Sequence, residues 1–363
     1  MDSETFITFP AIRGSQAKKE YYVAMWSLKL LTQITSFDEE GLPPELRAQR
    51  TLNKSRIPEI SNYILNNEEG YVLSALTVSI NTKTEFEPMP GQDKIGMLRV
   101  PFEAKFIIND GQHRRKAIIE AIKKKPELSN ESIAVVIFTN VDLERCQQMF
   151  SDLNSNSVKA SRSLGLLYDH RNDKAKLAKL VIMKSEIFRD IVDMERSSLA
   201  KRSRKLFTLS AFYNACADLI NGKATGNLIE DADMVREFWE ETAKQFPAWI
   251  KVKEGHLPAS EIRESYLHTH GIILQAIGKA GNTLLKTCPD TWKKKLKALK
   301  NIDWARSNAE LWEGRAIIGG KVSKATTNVT LATNIIKKTL NLPLSEEQNK
   351  VESAYAKRLK QDR

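Results

Sequence analysis

Apolar positions change their period partway along the chain. In the first half short β-rich runs alternate with helical stripes. Ile57, Ile60, Ile64 and Leu65 recur at helical spacing, and Pro58 suits a first turn, so a helix is predicted over IPEISNYILNN. YVLSALTVSI, Tyr71–Ile80, follows Gly70 and predicts a strand. Residues 81–97, with EPMPGQDKIG, read as a turn-rich connection. Phe106–Ile108 predicts a strand, and Ala117, Ile118, Ala121 and Ile122 a helical stripe after it. IAVVIFTN (133–140) predicts another buried strand. Asp142 then caps a helix whose Leu143, Cys146, Phe150 and Leu153 share one side. This alternation implies an α/β (α+β) domain: a mixed sheet with helices packed on it.

From Leu164 onward the 3.6 period dominates. LGLLYDH, DKAKLAKLVIMKSEIFRDIV, LSAFYNACADLIN, DADMVREFWEETAKQFPAWIK and YLHTHGIILQAIGKAGNTLL all predict helices. The change of pattern divides the chain into an α/β domain, 1–165, and a mostly α-helical domain, 166–363. No repeat of fixed period and no low-complexity linker marks the boundary.

Charge sharpens that division. The net charge is +11. Residues 1–165 hold 21 Lys+Arg and 21 Asp+Glu, whereas residues 166–363 hold 35 and 24, so the excess lies in the helical half. A one-sided basic excess points to an anionic partner, most often nucleic acid; a well-solvated surface is the plainer account. No run of eighteen apolar residues is present, so no membrane partner is expected. The start, MDSETFITFPAIRG, has no apolar secretory core. Cys146, Cys216 and Cys288 are isolated, without metal spacing, which suits reduced thiols in the cytoplasm.

The densest chemistry lies in FIINDGQHRRKAI, Phe106–Ile118. A strand ends at Asn109-Asp110, Gly111 turns the chain, and a helix starts at Gln112. The first N–H groups of a helix lack internal partners and, with the helix dipole, attract anions. Gly111 would let a phosphate approach the backbone, while Arg114 and Arg115 offer bidentate donors. Asp110 could bind a divalent cation or orient His113. Gly111, Gln112, Arg114 and Arg115 are therefore candidate phosphate ligands, and Asp110 and His113 candidate catalytic groups. A solvated turn with a capping histidine is the simpler alternative.

DGQHR, Asp110–Arg114, is the signature of the DGQHR-domain proteins, and its surroundings resemble the ParB/sulfiredoxin-like fold. There a comparable box opening a helix grips nucleotide phosphates. Arg56-Ile57-Pro58 with its helix, and the strand over 72–80, resemble the segments before that box. FSDLNSNSVKASRSL (150–164) resembles the third ParB box, in which Asp152 and Asn154 match the polar pair and Asn154 is an implied phosphate ligand; Lys159 and Arg162 stand in for an arginine of different spacing. The full chain resembles the DndB family of DNA phosphorothioate modification systems, through RTLNKSRIPEI, DGQHRRKAI, FSDLNSNSVKASRSL, RSSLAKRSRKLFTLSAF and LWEGRAIIGGKV. The resemblance implies transcriptional control of modification genes, with double-stranded DNA and other modification proteins as partners; a homo-oligomer is a separate expectation. The ligand implied at the box is a nucleoside triphosphate with Mg²⁺.

Other chemistries lack residues. Sulfiredoxin chemistry needs a cysteine in the box, where Gln112 and His113 stand. No GxxxxGK[ST], HExxH or Cys/His cluster occurs, so no metal site is assigned. His268 and His270, two apart, suit a structural role. RSSLAKRSRKLF offers Arg196, Lys201, Arg202, Arg204 and Lys205 with three serines, a set able to track a DNA backbone or form a solvated loop. TWKKKLKALK (291–300) reads as an amphipathic helix with a solvated basic face. Two functions follow: a DNA-binding regulator switched at the box, or a nucleotide hydrolase or DNA-backbone-cleaving enzyme acting through Asp110 and His113.

Overall fold

The computed structural model describes residues 5–33, 55–155 and 160–361. It separates into two compact units, 1–158 and 159–363. Assigning Lys159 and Arg162 to the second unit widens its cationic excess to 37 Lys+Arg against 24 Asp+Glu.

The first unit is built on a seven-stranded mixed sheet. Its strands are β1 (Phe6–Gln16), β2 (Lys19–Ser27), β3 (Leu76–Ile80), β4 (Glu85–Met89), β5 (Gln92–Pro101), β6 (Phe106–Asp110) and β7 (Ser132–Phe138). Their order is β4-β5-β1-β2-β7-β3-β6. Only β3 and β7 run parallel; the other neighbours are antiparallel. Side chains alternate between faces as the pleat requires. Phe9, Tyr22, Trp26, Val78 and Val135 are buried on one face. They form one core with Leu31 of α1 (Leu28–Gln33), Ile64 of α2 (Arg56–Leu65) and Ile118 of α3 (Gln112–Lys124). On the other face, Cys146 and Met149 of α4 (Leu143–Ser155) pack with Ile107 and Phe138.

Three expectations change here. The connection over 81–97 contains the β4–β5 hairpin, whose Pro88 is tolerated because β4 is an edge strand. The strand from Tyr71 joins the ladder only at Leu76. α4 is capped by Asp142, whose Oδ1 accepts from Arg145 N at 2.8 Å, but its inward face is rotated. Cys146 and Met149 are buried, while Leu143 and Leu153 are exposed. Asn109 draws that face inward: its side chain accepts from Ser79 Oγ at 2.7 Å and donates to Cys146 O at 3.3 Å.

The second unit is dominated by helices. They include Arg162–Tyr168, Asp173–Lys184, Leu209–Ile220, Leu228–Ala243, Gly271–Thr287, Thr326–Thr339 and Glu346–Gln361. Two expected helices are broken. Ser185 ends one, with a short helix resuming at Phe188, and Pro247 starts a new helix after Ala243. The core is aromatic, with Trp239, Trp249, Phe188, Phe207, Phe212 and Phe238 fully buried. Helices 209–220 and 271–287 approach closely because Gly278 lacks a side chain. A Cβ there would lie 2.3 Å from Ala215 O. No helix among the described residues is long and apolar enough to cross a membrane.

Candidate functional site

The box sits where β6 ends against the start of β3, with Asp110 opposite Thr77. Gly111 occupies the left-handed region at φ +103°, and a Cβ on it would lie 2.3 Å from Leu76 Cδ2. Glycine is thus required by the turn itself. α3 begins at the next residue, without a side-chain cap at its N-terminus. The fold brings Asp110, Gly111, Gln112, His113, Arg114 and Arg115 together in one strand end and one helical turn.

Much of this polar chemistry turns inward. Arg114 Nη2 donates to Asp110 Oδ2 at 2.6 Å, one turn back. Its Nη1 donates to the Ser74 carbonyl at 3.1 Å and also to the Ser74 hydroxyl. The Arg114 side chain is only 16% exposed against 49% for Asp110. The pair therefore ties the end of β6 to the extended segment before β3. Gln112 Nε2 folds back onto Ile108 O at 3.2 Å. His113 is half-buried. Arg115 is also half-buried, and loss of solvent pulls its guanidinium below its ordinary pKa. The Nε–H and second Nη2–H of Arg114 have no protein acceptor among the described residues, and the helix N-terminus lies in the same turn.

Asp152 and Asn154 lie in the last turns of α4. Asn154 Nδ2 donates to Phe150 O at 2.7 Å, and Asp152 Oδ1 accepts from Gln148 at 2.7 Å. Asp152 also lines a cavity beyond the C-terminal end of β7, whereas the box lies at the opposite end of β3. Lys159 and residues 50–54 of RTLNKSRIPEI lie outside the described residues. Arg162 belongs to the second unit, where it donates to Asn214 Oδ1 at 3.0 Å.

The basic run forms a loop between short strands Val192–Asp193 and Phe207–Thr208. Asp193 Oδ1 accepts from the backbone N–H of Glu195 and Arg196 at 3.0 and 2.7 Å. Ser197 Oγ accepts from Ser163 N at 3.0 Å. Arg263 Nη2 donates to the carbonyls of Ala200, Lys201 and Ser203 at 2.9, 2.8 and 3.2 Å. Burial lowers the Arg263 pKa from its ordinary value. Two candidate cations are engaged: Lys201 pairs with Glu264 at 3.2 Å, and Lys205 Nζ donates to Asp190 O at 2.7 Å. Arg196, Arg202 and Arg204 are exposed, and their side chains have no protein partner among the described residues. Ser74 and Arg263, which organise the two regions, act across 40 and about 60 residues, and no local motif marks them.

The chain thus joins a unit with a strand–Gly–helix turn on a mixed sheet to a helical unit carrying an ordered basic loop. A family model, DndB, described as DNA-sulfur modification-associated, matches residues 9–343, and the chain belongs to that family. The family links the chain to DNA sulfur modification. No curated protein and no solved structure matched it.

Proposed function

We propose that this protein is a DNA-binding transcriptional regulator of a phosphorothioate-modification gene cluster, with a nucleotide- or phosphate-responsive DGQHR box. The observation that carries the reading is the basic loop. Its backbone is fixed by Arg263 and Asp193, while Arg196, Arg202 and Arg204 remain exposed and unpaired. Guanidinium groups without protein acceptors, carried on a fixed backbone, suit phosphate oxygens, and fixing the loop beforehand lowers the cost of binding. Phosphate contacts place a protein on duplex DNA without selecting sequence, so base choice must come from other side chains. The helical unit's cationic excess supports the same partner.

At the box, the ligand that fits the start of α3 and the remaining Arg114 donors is a phosphate group, with Arg115, which has an interaction of its own, as a second contact. A nucleoside triphosphate with Mg²⁺ is the proposed effector. Asp110 already accepts from Arg114, so it would meet a cation with a single free oxygen. The test is duplex binding to the promoter of the modification cluster, at several salt concentrations, with and without ATP, GTP or CTP and Mg²⁺. The reading expects salt-sensitive binding modulated by one nucleotide and abolition of that modulation by His113→Ala. Absence of duplex binding would refute it. Metal-dependent nucleotide turnover lost in His113→Ala would replace it with an enzyme reading.

A further inference from the structure

We propose that the cavity beyond the C-terminal end of β7 binds one nucleotide unit, with its phosphate between Lys19 and Arg145 and its heterocycle against an apolar wall. The cavity, about 290 Å³, lies between the β1–β2 turn, the β7–α4 connection and the last turns of α4. Phe138, Val141, Met149 and Leu153 give it an apolar wall. Phe138 is fixed by stacking on Tyr21, with ring centroids 5.7 Å apart and an interplanar angle of 26°. The volume is near the lower end of ligand pockets, roughly 300–1,000 Å³, which suits one ring system and its phosphate.

Cationic, neutral and acidic side chains surround this wall. Lys19 and Arg145 are exposed at the rim, and neither side-chain cation has a partner among the described residues. The three lining carboxylates keep their charge, but each already accepts a hydrogen bond. Glu20 accepts from Tyr22 OH at 3.1 Å and lies 3.7 Å from Arg13. Asp142 caps α4, and Asp152 accepts from Gln148. Thr139 and Asn140 add an unbonded hydroxyl and amide that can meet a base edge. Asn140 is fixed at φ +55°, its N–H donating to Thr82 O at 3.0 Å and that of Val141 to Ile80 O at 3.0 Å. Two cations for a phosphate, an apolar wall for a ring and an amide for its edge make up the chemistry of a nucleotide. This site is separate from the box and stands whether or not the protein regulates transcription.

The nucleotide could be free or part of a DNA strand, and the probes separate these sources. Calorimetric titrations of the full-length protein would use the four deoxynucleoside 5′-monophosphates, inorganic phosphate and a 5′-phosphorylated trinucleotide. Proteins compared would be wild type, Lys19→Glu/Arg145→Glu and His113→Ala, each checked by far-UV CD. Both substituted cations are solvent-exposed, so the double variant should fold. Two charge-assisted contacts at roughly tenfold or more each predict at least a hundredfold loss in the double variant. His113→Ala should retain this binding. Mononucleotide affinity equal to that of the trinucleotide identifies a free nucleotide, and binding of the trinucleotide alone identifies a strand; both support the site. The proposal is overturned if no nucleotide probe binds, if the double variant binds normally, if phosphate binds as well as nucleotides, or if His113→Ala abolishes all binding.

Discussion

Replacing Arg196, Arg202 and Arg204 together with alanine separates a DNA-binding loop from a solvated one. Each bare guanidinium that reaches a phosphate releases counterions, and each contact contributes about 0.9 to the log–log salt slope. Three contacts therefore flatten the slope by about 2.7. Across a fourfold rise in salt, roughly from 50 to 200 mM, that difference amounts to about 40-fold in affinity. Lys201 and Lys205 should add less, because each already has a protein partner. The three arginine side chains have no hydrogen bond or ion pair to lose among the described residues, so stability should change by no more than about 0.5 kcal/mol. Arg263→Gln provides the contrast. It removes the guanidinium that binds three loop carbonyls while leaving the outer cations in place. Affinity should then fall severalfold with a nearly unchanged slope, because the loop must be ordered on binding. Fluorescence anisotropy of a labelled duplex at five salt concentrations measures both quantities. A triple variant that folds normally and keeps the wild-type slope would refute the assignment of the loop to DNA.

Three further outcomes test the fold and the box. Arg114→Ala should weaken phosphate binding roughly tenfold and also destabilise the first unit by roughly 2 kcal/mol, because it removes bonds to Ser74 and the half-exposed Asp110. Unchanged urea unfolding would show that the tie is unimportant. His268 is buried, accepts from Trp249 Nε1 at 3.0 Å, and is held to a pKa of about 3 by burial and then by His270. The unfolded chain therefore binds the extra proton between about pH 6.5 and 3, and stability falls as pH decreases through that window, by about 2 kcal/mol at pH 5 relative to neutral pH. Urea titrations at pH 7.5 and 5 measure it, and His268→Gln with the same pH dependence would disprove the assignment. Ala17 and Lys18 form the β1–β2 turn at φ +52° and +61°, a left-handed pair usually filled by Asn-Gly. Ala17→Asn/Lys18→Gly should stabilise by about 1 kcal/mol, read as a higher denaturant midpoint, and no gain would mean that the strain is relieved elsewhere.

That turn also explains why part of the sheet was hard to read. β2 has an alternating burial pattern, but Ala-Lys gives no turn signal, so β1 and β2 escape a search for Asn-Gly hairpins. β4 was hidden for the opposite reason: the Pro and Gly of EPMPGQDKIG suggest a loop, yet an edge strand accepts proline. Locally encoded features were readable. The α/β-to-helical change, the strand–Gly–helix join and the Asp142 cap depend on neighbours within a few residues. α4 shows the limit of counting apolar residues. Leu143 and Leu153 suggested one inward face, but Asn109 reaching Cys146 O sets another.

The same limit governs which arginines can act on a ligand. In the sequence, Arg114, Arg115, Arg202 and Arg204 look equivalent, each a planar cation near polar neighbours. The fold distinguishes them by donors already used. Arg114 directs three donors to Ser74 and Asp110, so a ligand must share a side chain that also secures the fold. Arg202 and Arg204 use none among the described residues, while Arg263 holds the loop backbone. Because a hydrogen bond to a ligand stabilises only to the extent that it improves on the bond it replaces, the loop can gain affinity at little cost to stability. The box must balance the two. Substitutions at Arg202 and Arg204 should therefore alter affinity alone, whereas substitutions at Arg114 should couple affinity to unfolding.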